Sequence, residues 1–442
     1  MPRRPRTPNG SLVADTGRTR GTLTEHSATG GQRARQVSGY RHGVPASSAV
    51  PHRPRVLLLR GHQANPWELR PWEQPVIADR FDVSYLASRR GWFDTSSLKL
   101  DRRSVLTLRD LAPKGALGDL AVRLPGDRYL GLRAKLGEAE IVHTQDLGYW
   151  YSMQAARLRP KLGFKLVTTV WETIPFLGSY RNVRTRSYRR QTLAATDLFL
   201  ATTERARTSL LLEGAPAERI RVCPPGVALD RFERAADHAP HPGPPLVVSP
   251  GRLVWEKGHQ DVLRAVALLR RGADDREARS AAIDVRVQIV GSGPEERRLR
   301  AYASELGIGD LVEFRGFVDY AEMPTIFAAA TCVVLASLPI WSWEEQFGMV
   351  LAEAMAAGTT IVASSSGAIP EVTGPAARYF SPGDWPALAS ILRQVAANPN
   401  DGVVKREAYE RSRTFSAEAA AQRIAQAYEA LLGDRPAESG AA

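Results

Sequence analysis

The stretch Trp343–Gly358, WEEQFGMVLAEAMAAG, predicts a helix that leads directly into a buried strand. Residues 351–357 are good helix formers, with no proline or run of β-branched residues among them. Gly358 follows, and glycine is the residue that most often ends a helix because it readily adopts positive φ. Residues 359–363, TTIVA, are rich in β-branched residues and predict the strand.

The start of this helix has features that suit a phosphate group. The first backbone N–H groups of a helix are unpaired and lie at the positive end of its dipole. Gly348 would allow a ligand to approach the backbone closely. Glu345 and Glu353 are eight residues apart, which would place them on roughly the same side, about 12 Å apart, if the whole segment were helical. They could accept hydrogen bonds from two sets of hydroxyls. On spacing alone, however, a helix of methionine, leucine and alanine with one glutamate is more often a core helix with one solvated position.

Length and composition indicate a globular protein with two domains. The chain has 442 residues, of which 43% are hydrophobic and 24% charged, and chains of this length usually divide into domains of roughly 150 to 200 residues. No apolar run reaches the roughly 18 residues of a membrane-spanning helix. Two cysteines, Cys223 and Cys332, exclude a disulfide framework and a cysteine-rich metal site. We therefore expect a reducing, cytoplasmic location.

The net charge of +12 is concentrated at the amino terminus. Residues 1–54 contain nine arginines and two acidic residues, a net +7, with few large apolar side chains. This composition predicts a disordered basic tail, and it lacks the apolar core of a signal peptide. We interpret the tail as solvated, or as the product of a mis-assigned start, rather than as an arm that binds anionic lipid or nucleic acid.

The first half of the chain reads as alternating strands and helices. Predicted strands end in polar or aromatic residues, and because parallel strands share one carboxyl edge, those residues would form one side of a ligand crevice. Gly61 and then Glu68 follow the first strand, and Trp171 and Glu172 follow a later one. The predicted strands of this half are residues 55–60, 81–86, 139–143, 165–170 and 197–202.

Two other parts of this half carry basic side chains. Residues 87–115 predict a loop, and a helix interrupted by a Pro-Gly pair is expected over residues 117–136. The segment Tyr180–Arg190 contains five arginines. A segment of this kind can lie on an anionic membrane surface, although a solvated helix face is the commoner explanation.

The second half begins after a proline-rich linker at residues 235–245. A strand at 245–249 is followed by Gly251–Gly258, GRLVWEKG, in which two cations lie between glycines. Arg252 and Lys257 could neutralise a diphosphate, and arginine could do so with two parallel hydrogen bonds. The GSG at residues 291–293 is no dinucleotide fingerprint, because Glu296 stands where the third glycine is needed.

These motifs together resemble one enzyme family. Glu345-x-Phe347-Gly348 followed by Glu353-Ala354-Met355-Ala356-x-Gly358 is similar to the E-x7-E signature of retaining glycosyltransferases of family 4, the group of sucrose synthases and mannosyltransferases. GRLVWEKG resembles the family segment whose cations hold the diphosphate of the donor. The resemblance extends over roughly residues 55–433.

The resemblance implies the GT-B architecture, an α/β fold in which two doubly wound Rossmann-like domains face a cleft. The expected domains are an acceptor-side domain at 55–234, a nucleotide-sugar domain at 246–415 and a helix at 416–433 that crosses back to the first domain. The implied reaction is the transfer of a sugar from a nucleotide-diphosphate-sugar, with retention and without a metal. No D-x-D motif occurs in the chain, and we expect no cofactor and no metal.

The resemblance also assigns site residues. Arg252, Lys257 and Glu345 would take part in catalysis, because negative charge builds on the leaving phosphate as the sugar bond breaks. Residues implied on the acceptor side are His143, Gln145, Trp171 and Glu172, with Gln145 where relatives often have histidine. Residues implied at the donor are Gly61, Arg252, Lys257, Gly316, Phe317, Val318, Phe347, Gly348, Met349, Val350 and Glu353.

Three other functions compete with this interpretation. An enzyme that acts on a sugar nucleotide without transfer, such as an epimerase, would have the same fold. An NAD-dependent enzyme would also use Rossmann-like halves, but the dinucleotide fingerprint is absent. A silent binding protein is the third alternative. The acceptor stays unassigned between glycan, lipid and small molecule, with peripheral contact at the inner face of an anionic membrane as an extension of the hypothesis.

Overall fold

A computed structural model describes residues 52–433 except 114, 124–125, 127, 178–182, 234–242, 273–281 and 399–401. Within these residues two parallel sheets form the centres of two α/β domains. This is the GT-B arrangement, so the predicted fold class is confirmed. Residues 1–51 of the predicted basic tail and most of the proline-rich linker lie outside the described residues.

The first sheet has the order β4-β3-β2-β1-β5-β6-β7-β8 in the described part of the chain. All of its pairs are parallel except β3 with β4. Its central strands are buried on both faces, as the apolar run at Val56–Leu59 predicts. The strands are β1 Arg55–Gly61, β2 Asp82–Ser88, β3 Asp101–Thr107, β4 Tyr129–Leu130, β5 Ile141–Gln145, β6 Lys165–Val170, β7 Leu198–Ala201 and β8 Ile220–Val222.

Helices cover this sheet, and the elements between residues 101 and 136 differ from the sequence prediction. Residues 101–107 form β3, where a loop was predicted, because alternate side chains pack inward from this strand near the sheet edge. The predicted helix at 117–136 is divided into α4, β4 and α5. The helices are α1 Pro66–Leu69, α2 Pro75–Ala78, α3 Leu108–Leu111, α4 Ala116–Arg123, α5 Leu132–Leu136, α6 Trp150–Leu162, α7 Val183–Ala195, α8 Glu204–Leu212 and α9 Asp230–Glu233.

The second sheet has the order β11-β10-β9-β12-β13-β14, again within the described residues, and is parallel throughout. Its strands are β9 Leu246–Pro250, β10 Arg286–Val290, β11 Val312–Gly316, β12 Cys332–Leu335, β13 Thr360–Ser364 and β14 Ala377–Phe380. Its helices are α10 His259–Arg271, α11 Glu296–Glu305, α12 Met323–Ala329, α13 Met349–Ala356, α14 Ile369–Thr373, α15 Trp385–Ala397, α16 Gly402–Arg413 and α17 Ala417–Gly433.

Helix α17 returns from the second domain and packs on the first. Ile424 and Tyr428 belong to the same apolar cluster as Val56, Leu58 and other residues of β1 and its neighbours. The Trp72 indole N–H donates a hydrogen bond of 3.0 Å to the Tyr428 hydroxyl. The end of the chain therefore ties the two domains together through the core of the first.

Part of the basic segment at 180–190 is not a solvated surface. Residues 180–182 lie outside the described residues, and 183–190 belong to α7. Arg189 is buried and pairs with Glu213, whereas Arg186 and Arg190 are exposed. No helix in the described part of the chain combines the length and apolar character needed to cross a membrane.

Candidate functional site

A cavity of about 640 Å³ lies between the carboxyl ends of the two sheets. This is the edge at which ligands bind in parallel α/β folds. Aromatic pairs join its two walls: Trp67 contacts Tyr320 at 5.8 Å between ring centroids, and Trp171 contacts Phe347 at 6.4 Å. The first domain contributes Trp67, Glu68, Gln145, Asp146, Tyr149 and Trp171.

The second domain contributes most of the predicted donor residues. They come from the loop after β9, the loop after β11 and the segment around the start of α13. Predicted residues that line the cavity from this side are Arg252, Lys257, Phe317, Val318, Glu345, Phe347, Gly348, Met349, Val350 and Glu353. The structure thus brings together motifs that are about a hundred residues apart in the chain.

The loop after β9 holds two cations at the cavity. The Lys257 ammonium donates a hydrogen bond of 2.7 Å to the Glu345 carboxylate and lies 4.8 Å from the centroid of the Trp343 ring. Gly258 follows with φ +70°, and a Cβ there would lie 1.8 Å from the Ala336 carbonyl oxygen, so this close crossing requires glycine. Arg252 is exposed and makes no ion pair with any described residue, which leaves its guanidinium available for an anion.

His259 fixes the backbone that carries Arg252. Its Nε2 lies 3.2 Å from the Arg252 carbonyl oxygen and its Nδ1 2.8 Å from the Ser249 hydroxyl. Because the carbonyl can only accept, Nε2 carries the proton and Nδ1 accepts from Ser249. Burial lowers the pKa of His259 to about 4, so the imidazole is neutral and the arrangement is stable near pH 7.

Helix α13 begins at the cavity wall. Gly348 precedes it in the left-handed region at φ +81°, which turns the chain into the helix at a position where other residues would be strained. Met349 and Val350, its first residues, line the cavity. Their N–H groups have no partner within the helix and lie at its positive end, so this wall favours an anion.

Glu345 and Glu353 reach the same cavity by a different route from the predicted one. The helix begins only at Met349, so the two-turn spacing calculated for a continuous helix does not apply. Glu345 lies in the preceding loop, where the Ser337 hydroxyl donates to its carboxylate at 2.7 Å. The tertiary fold, rather than helical periodicity, places both carboxylates at the site.

Glu353 lies within α13 and is buried. The Tyr320 hydroxyl donates a hydrogen bond of 2.8 Å to one of its oxygens. Burial raises the pKa of Glu353 to about 7, against the lowering effects of this hydrogen bond and of Arg231. Near neutral pH the group is therefore poised between its two protonation states, and a hydroxyl-bearing ligand would favour the ionised form.

Glu344, the neighbour of Glu345, binds the other domain. Its carboxylate accepts two hydrogen bonds from the Arg205 guanidinium, at 2.5 and 2.7 Å. Glu371 accepts from the backbone N–H groups of Glu204 and Arg205, at 2.6 and 3.2 Å. These contacts attach the first turn of α8 to the donor-side motifs, and we call them the interdomain clamp.

The acceptor-side wall carries carboxylates and aromatic rings. Asp146 follows β5 with φ +49° and accepts a hydrogen bond of 2.9 Å from the Trp171 N–H. Burial raises the pKa of Asp146 to about 6 and that of the adjacent Glu172 to about 7. Of the predicted acceptor-side residues, Gln145 and Trp171 line the cavity, whereas Glu172 is half-buried beside it.

Besides Glu172, three predicted residues do not reach the cavity lining. His143 is fully buried, with its ring nitrogens 2.5 Å from the Tyr428 hydroxyl and 2.7 Å from the Thr169 hydroxyl. Burial lowers its pKa well below the usual value, so it is a neutral packing residue and the acceptor contact considered for it is not supported. Gly61 faces the Tyr129 and Tyr151 rings. The Gly316 carbonyl accepts from the Gly291 N–H at 2.7 Å.

Several lining residues were not assigned from the sequence. Trp67, Tyr149 and Tyr320 lie in loops or at helix ends where no motif marks them. Asp146 had a weak signal, because it follows a predicted strand directly. No group of three or more metal-ligating side chains occurs within the described ranges.

Two family models match consecutive parts of the chain. The model described as Glycosyltransferase Family 4 matches residues 77–231, which belong to the first domain. The model described as Glycosyl transferases group 1 matches residues 230–415, which contain Arg252, Lys257, Glu345 and Glu353. The two matches meet at α9, between the two sheets.

Individual proteins that match the chain have low sequence identity to it. The D-inositol 3-phosphate glycosyltransferase of Mycobacterium tuberculosis is 29% identical over 323 residues, covering 68% of this chain and 64% of that protein. The chain thus matches less than two thirds of the length of this relative. Sucrose-phosphate synthase from Thermosynechococcus elongatus has a TM-score of 0.67 at 21% identity, covering 87% of this chain and all of that one. Anabaena HepE, in complex with UDP, has a TM-score of 0.65 at 18% identity, covering 85% and 100%.

Proposed function

Because the chain belongs to the GT-B glycosyltransferases, with a family 4 domain followed by a group 1 domain, we propose that it transfers a sugar from a nucleotide-diphosphate-sugar to an acceptor with retention of anomeric configuration. The observation that carries this proposal is the convergence of Arg252, Lys257 and the start of α13 on one wall of the cavity. Together they supply the positive charge that a diphosphate leaving group needs.

The donor diphosphate is proposed to lie between the two cations and the first N–H groups of α13. Glu353 would accept from the ribose hydroxyls, and Glu345 would contact the sugar while holding Lys257 in place. UDP is the first nucleotide to test, since solved structures of the similar HepE protein contain UDP and UDP-glucose.

In the proposed reaction an acceptor hydroxyl oxygen forms a bond to C1 of the sugar on the face from which the diphosphate departs. The C1–oxygen bond breaks, and its electron pair stays on the diphosphate. The acceptor proton passes to that leaving phosphate oxygen, so no protein base is needed. This route is compatible with the interior position of His143. The proposal needs no metal, because Arg252 and Lys257 would supply the positive charge that a metal ion otherwise provides.

A metal-free donor screen tests the proposal. Purified protein with EDTA is mixed with UDP-, GDP- or ADP-glucose, and melting temperature and nucleotide release are measured. We expect one nucleotide sugar to stabilise the protein by mass action. The effect should disappear in Arg252→Ala/Lys257→Ala and persist in Arg298→Ala, a control at an arginine with an 80% exposed side chain.

Each part of the proposal has its own contradicting result. No response to any nucleotide sugar, together with stabilisation by NAD, would overturn the glycosyltransferase assignment. Loss of turnover in EDTA that Mg²⁺ restores would contradict metal independence. An NMR spectrum of the product showing inverted configuration at C1 would contradict retention.

A cytoplasmic location forms part of the same proposal. Nucleotide sugars are made there, and both cysteines are buried free thiols whose pKa values burial raises to about 12. Such thiols suit a reducing compartment. Cell fractionation would test the location, and recovery of the protein with membranes would instead support the peripheral contact.

A further inference from the structure

The two walls of the cavity differ in charge, and this difference bears on the acceptor. Among the described residues that line it, the second domain contributes the cations Arg252 and Lys257 together with the carboxylates Glu345 and Glu353. The lining from the first domain contains two carboxylates, Glu68 and Asp146, and no lysine or arginine among described residues. If the donor occupies the second-domain wall, as the proposed function requires, the acceptor meets an acidic wall.

Nearby arginines do not reverse this charge. Arg60 is buried, donates to the carbonyl oxygens of Leu59 and His143, and lies 5.2 Å from the centroid of the Trp72 ring. Arg189 is buried in an ion pair with Glu213. Both cations contribute to the local field, but neither lines the cavity, so they present no donor to a ligand there.

The carboxylates are held in place by polar contacts. Gln145, which is 8% exposed and also lines the cavity, lies beside the Glu68 carboxyl and lowers its pKa. Asp146 is anchored by the Trp171 N–H, and the Tyr149 hydroxyl donates to Gln63 at 2.9 Å. Acidic oxygens therefore lie at fixed positions among three aromatic rings, those of Trp67, Tyr149 and Trp171.

We propose that the acceptor is an amine-bearing polyol, such as an amino sugar or aminocyclitol, whose ammonium group pairs with Glu68 and Asp146. This inference deepens the proposed function and rests on it. Aromatic faces beside carboxylates suit a ring that carries both C–H surfaces and a cation. A phosphorylated acceptor would find no cation on this wall and would be repelled by its carboxylates. The ammonium group stays protonated, and a hydroxyl of the polyol attacks the sugar.

The electrostatics of the first-domain wall agree with a cationic ligand. Burial raises the pKa of Glu68, of Asp146 to about 6 and of Glu172 to about 7. Arg60 lowers the pKa of Glu68, and Arg189 lowers those of Asp146 and Glu172, but the cost of ionising a buried carboxylate is the larger effect. An ammonium group beside them would stabilise the ionised forms, so binding of the acceptor would be accompanied by proton release below about pH 7.

The test compares ligands that differ in one charge. Affinities of D-glucosamine, D-glucose and D-glucose 6-phosphate are measured by calorimetry at pH 7.5 with UDP bound, because without UDP the phosphate could bind Arg252 and Lys257. The binding of UDP itself is measured first. A charge-assisted contact predicts that glucosamine binds roughly tenfold tighter than glucose, and that the phosphate binds more weakly than either. Glucosamine binding no tighter than glucose, including no measurable binding of either, overturns the proposal, as does preferential binding of the phosphate.

Two variants test whether Glu68 and Asp146 cause the preference for glucosamine. Glu68→Gln/Asp146→Asn removes both charges with little change in shape, and asparagine tolerates the positive φ at 146. The preference for glucosamine should fall to about twofold or less. Glu138→Gln, at an exposed carboxylate of the same domain, is the matched charge control and should keep it. A preference that survives the double variant refutes the assigned residues.

The same calorimetry separates this inference from the proposed function. Absence of UDP binding in the wild type would count against the glycosyltransferase assignment, whereas UDP binding without a glucosamine preference would count only against the acceptor class. If the double variant does not fold, judged by its thermal transition, the ranking of the three ligands on the wild type still decides.

Discussion

The two halves of the cavity both lie at the carboxyl ends of parallel strands but differ in charge. The second-domain wall presents cations as well as carboxylates, with the start of α13, whereas the first-domain wall presents Glu68, Asp146 and aromatic rings and no lysine or arginine among the described residues. In both, the functional residues follow strand ends, as expected for this fold. The comparison shows that the shared fold provides the position of a site, and that the loops decide what the site binds.

The two walls also differ in how strongly their residues are tied to other parts of the molecule. On the donor side, Lys257, Glu345 and Ser337 form one hydrogen-bonded group across three loops. On the acceptor side, Asp146 and Gln145 bond mainly to neighbouring loops of their own domain. The donor wall is thus the more interconnected one, and we expect substitutions there to have the larger effects.

The largest effect is expected for Lys257→Ala. It removes a cation from the proposed diphosphate site and leaves the Glu345 carboxylate without its ion pair. Loss of one such charged donor typically lowers kcat about 10²- to 10³-fold. Steady-state kinetics would measure the change, with Lys161→Ala, at an exposed lysine of α6, as control. A decrease of less than about tenfold would show that the donor wall does not depend on this cation.

Glu353→Gln should separate donor binding from stability. Burial raises the pKa of Glu353 to about 7 from its ordinary value of 4.5. The stabilisation from its retained proton is complete below about pH 4.5 and is lost as the pH rises through about 7. The variant lacks this dependence and should gain on the order of 2–3 kcal/mol relative to wild type between pH 4.5 and 8.

Donor affinity of the same variant should fall, because an amide accepts more weakly from ribose hydroxyls than a carboxylate does. The two quantities would be followed by urea unfolding at several pH values and by nucleotide titration. If the free energy of unfolding changes with pH in the same way for the variant and the wild type, Glu353 does not retain its proton in the folded protein.

A smaller effect, confined to stability, is expected for Tyr428→Phe. The hydroxyl is hydrogen-bonded to both the His143 ring and the Trp72 indole. Its removal therefore leaves two buried polar groups without this partner. We expect a loss of about 1–3 kcal/mol in the free energy of unfolding, with kcat unchanged. A selective loss of kcat in a variant that keeps its stability would show that the layer behind the acceptor wall takes part in the reaction.

The smallest effect is expected where the two halves are joined by the interdomain clamp. A double-mutant cycle of Arg205→Ala and Glu344→Ala should give a coupling energy of about 0.5–1 kcal/mol in thermal or urea unfolding, because half of the Arg205 side chain is exposed to solvent. A coupling energy near zero would mean that the pair adds no stability between the domains. One well above about 2 kcal/mol would show a desolvated contact instead.

Much of the fold was accessible from the sequence because its signals are local. Apolar runs such as Val56–Leu59 are typical of strands buried on both faces, and the structure has β1 there. The strand β3 was missed because Asp101–Thr107 contains three charged residues, DRR, and lies near the sheet edge, where only some side chains are buried. A pattern-based prediction depends on burial, and burial at an edge is incomplete.

The donor residues were predictable for a related reason. GRLVWEKG and the segment from Glu345 to Glu353 combine charged side chains with glycines at positions where a loop closely approaches another, as Gly258 approaches Ala336. The acceptor wall has no comparable motif. Trp67 lies in α1, whereas Asp146 and Tyr149 lie in the loop between β5 and α6, and only the order of the strands brings these two segments together.

The sequence by itself determined the alternation of strands and helices, the two halves and the chemistry of the donor motifs, since each depends on residues that are neighbours in the chain. Only the tertiary structure decided that His143 is an interior residue, that Glu345 reaches the site from a loop and that acidic residues face the cations across the cavity. Burial and the meeting of distant loops depend on how the domains pack, and packing is a property of the whole chain.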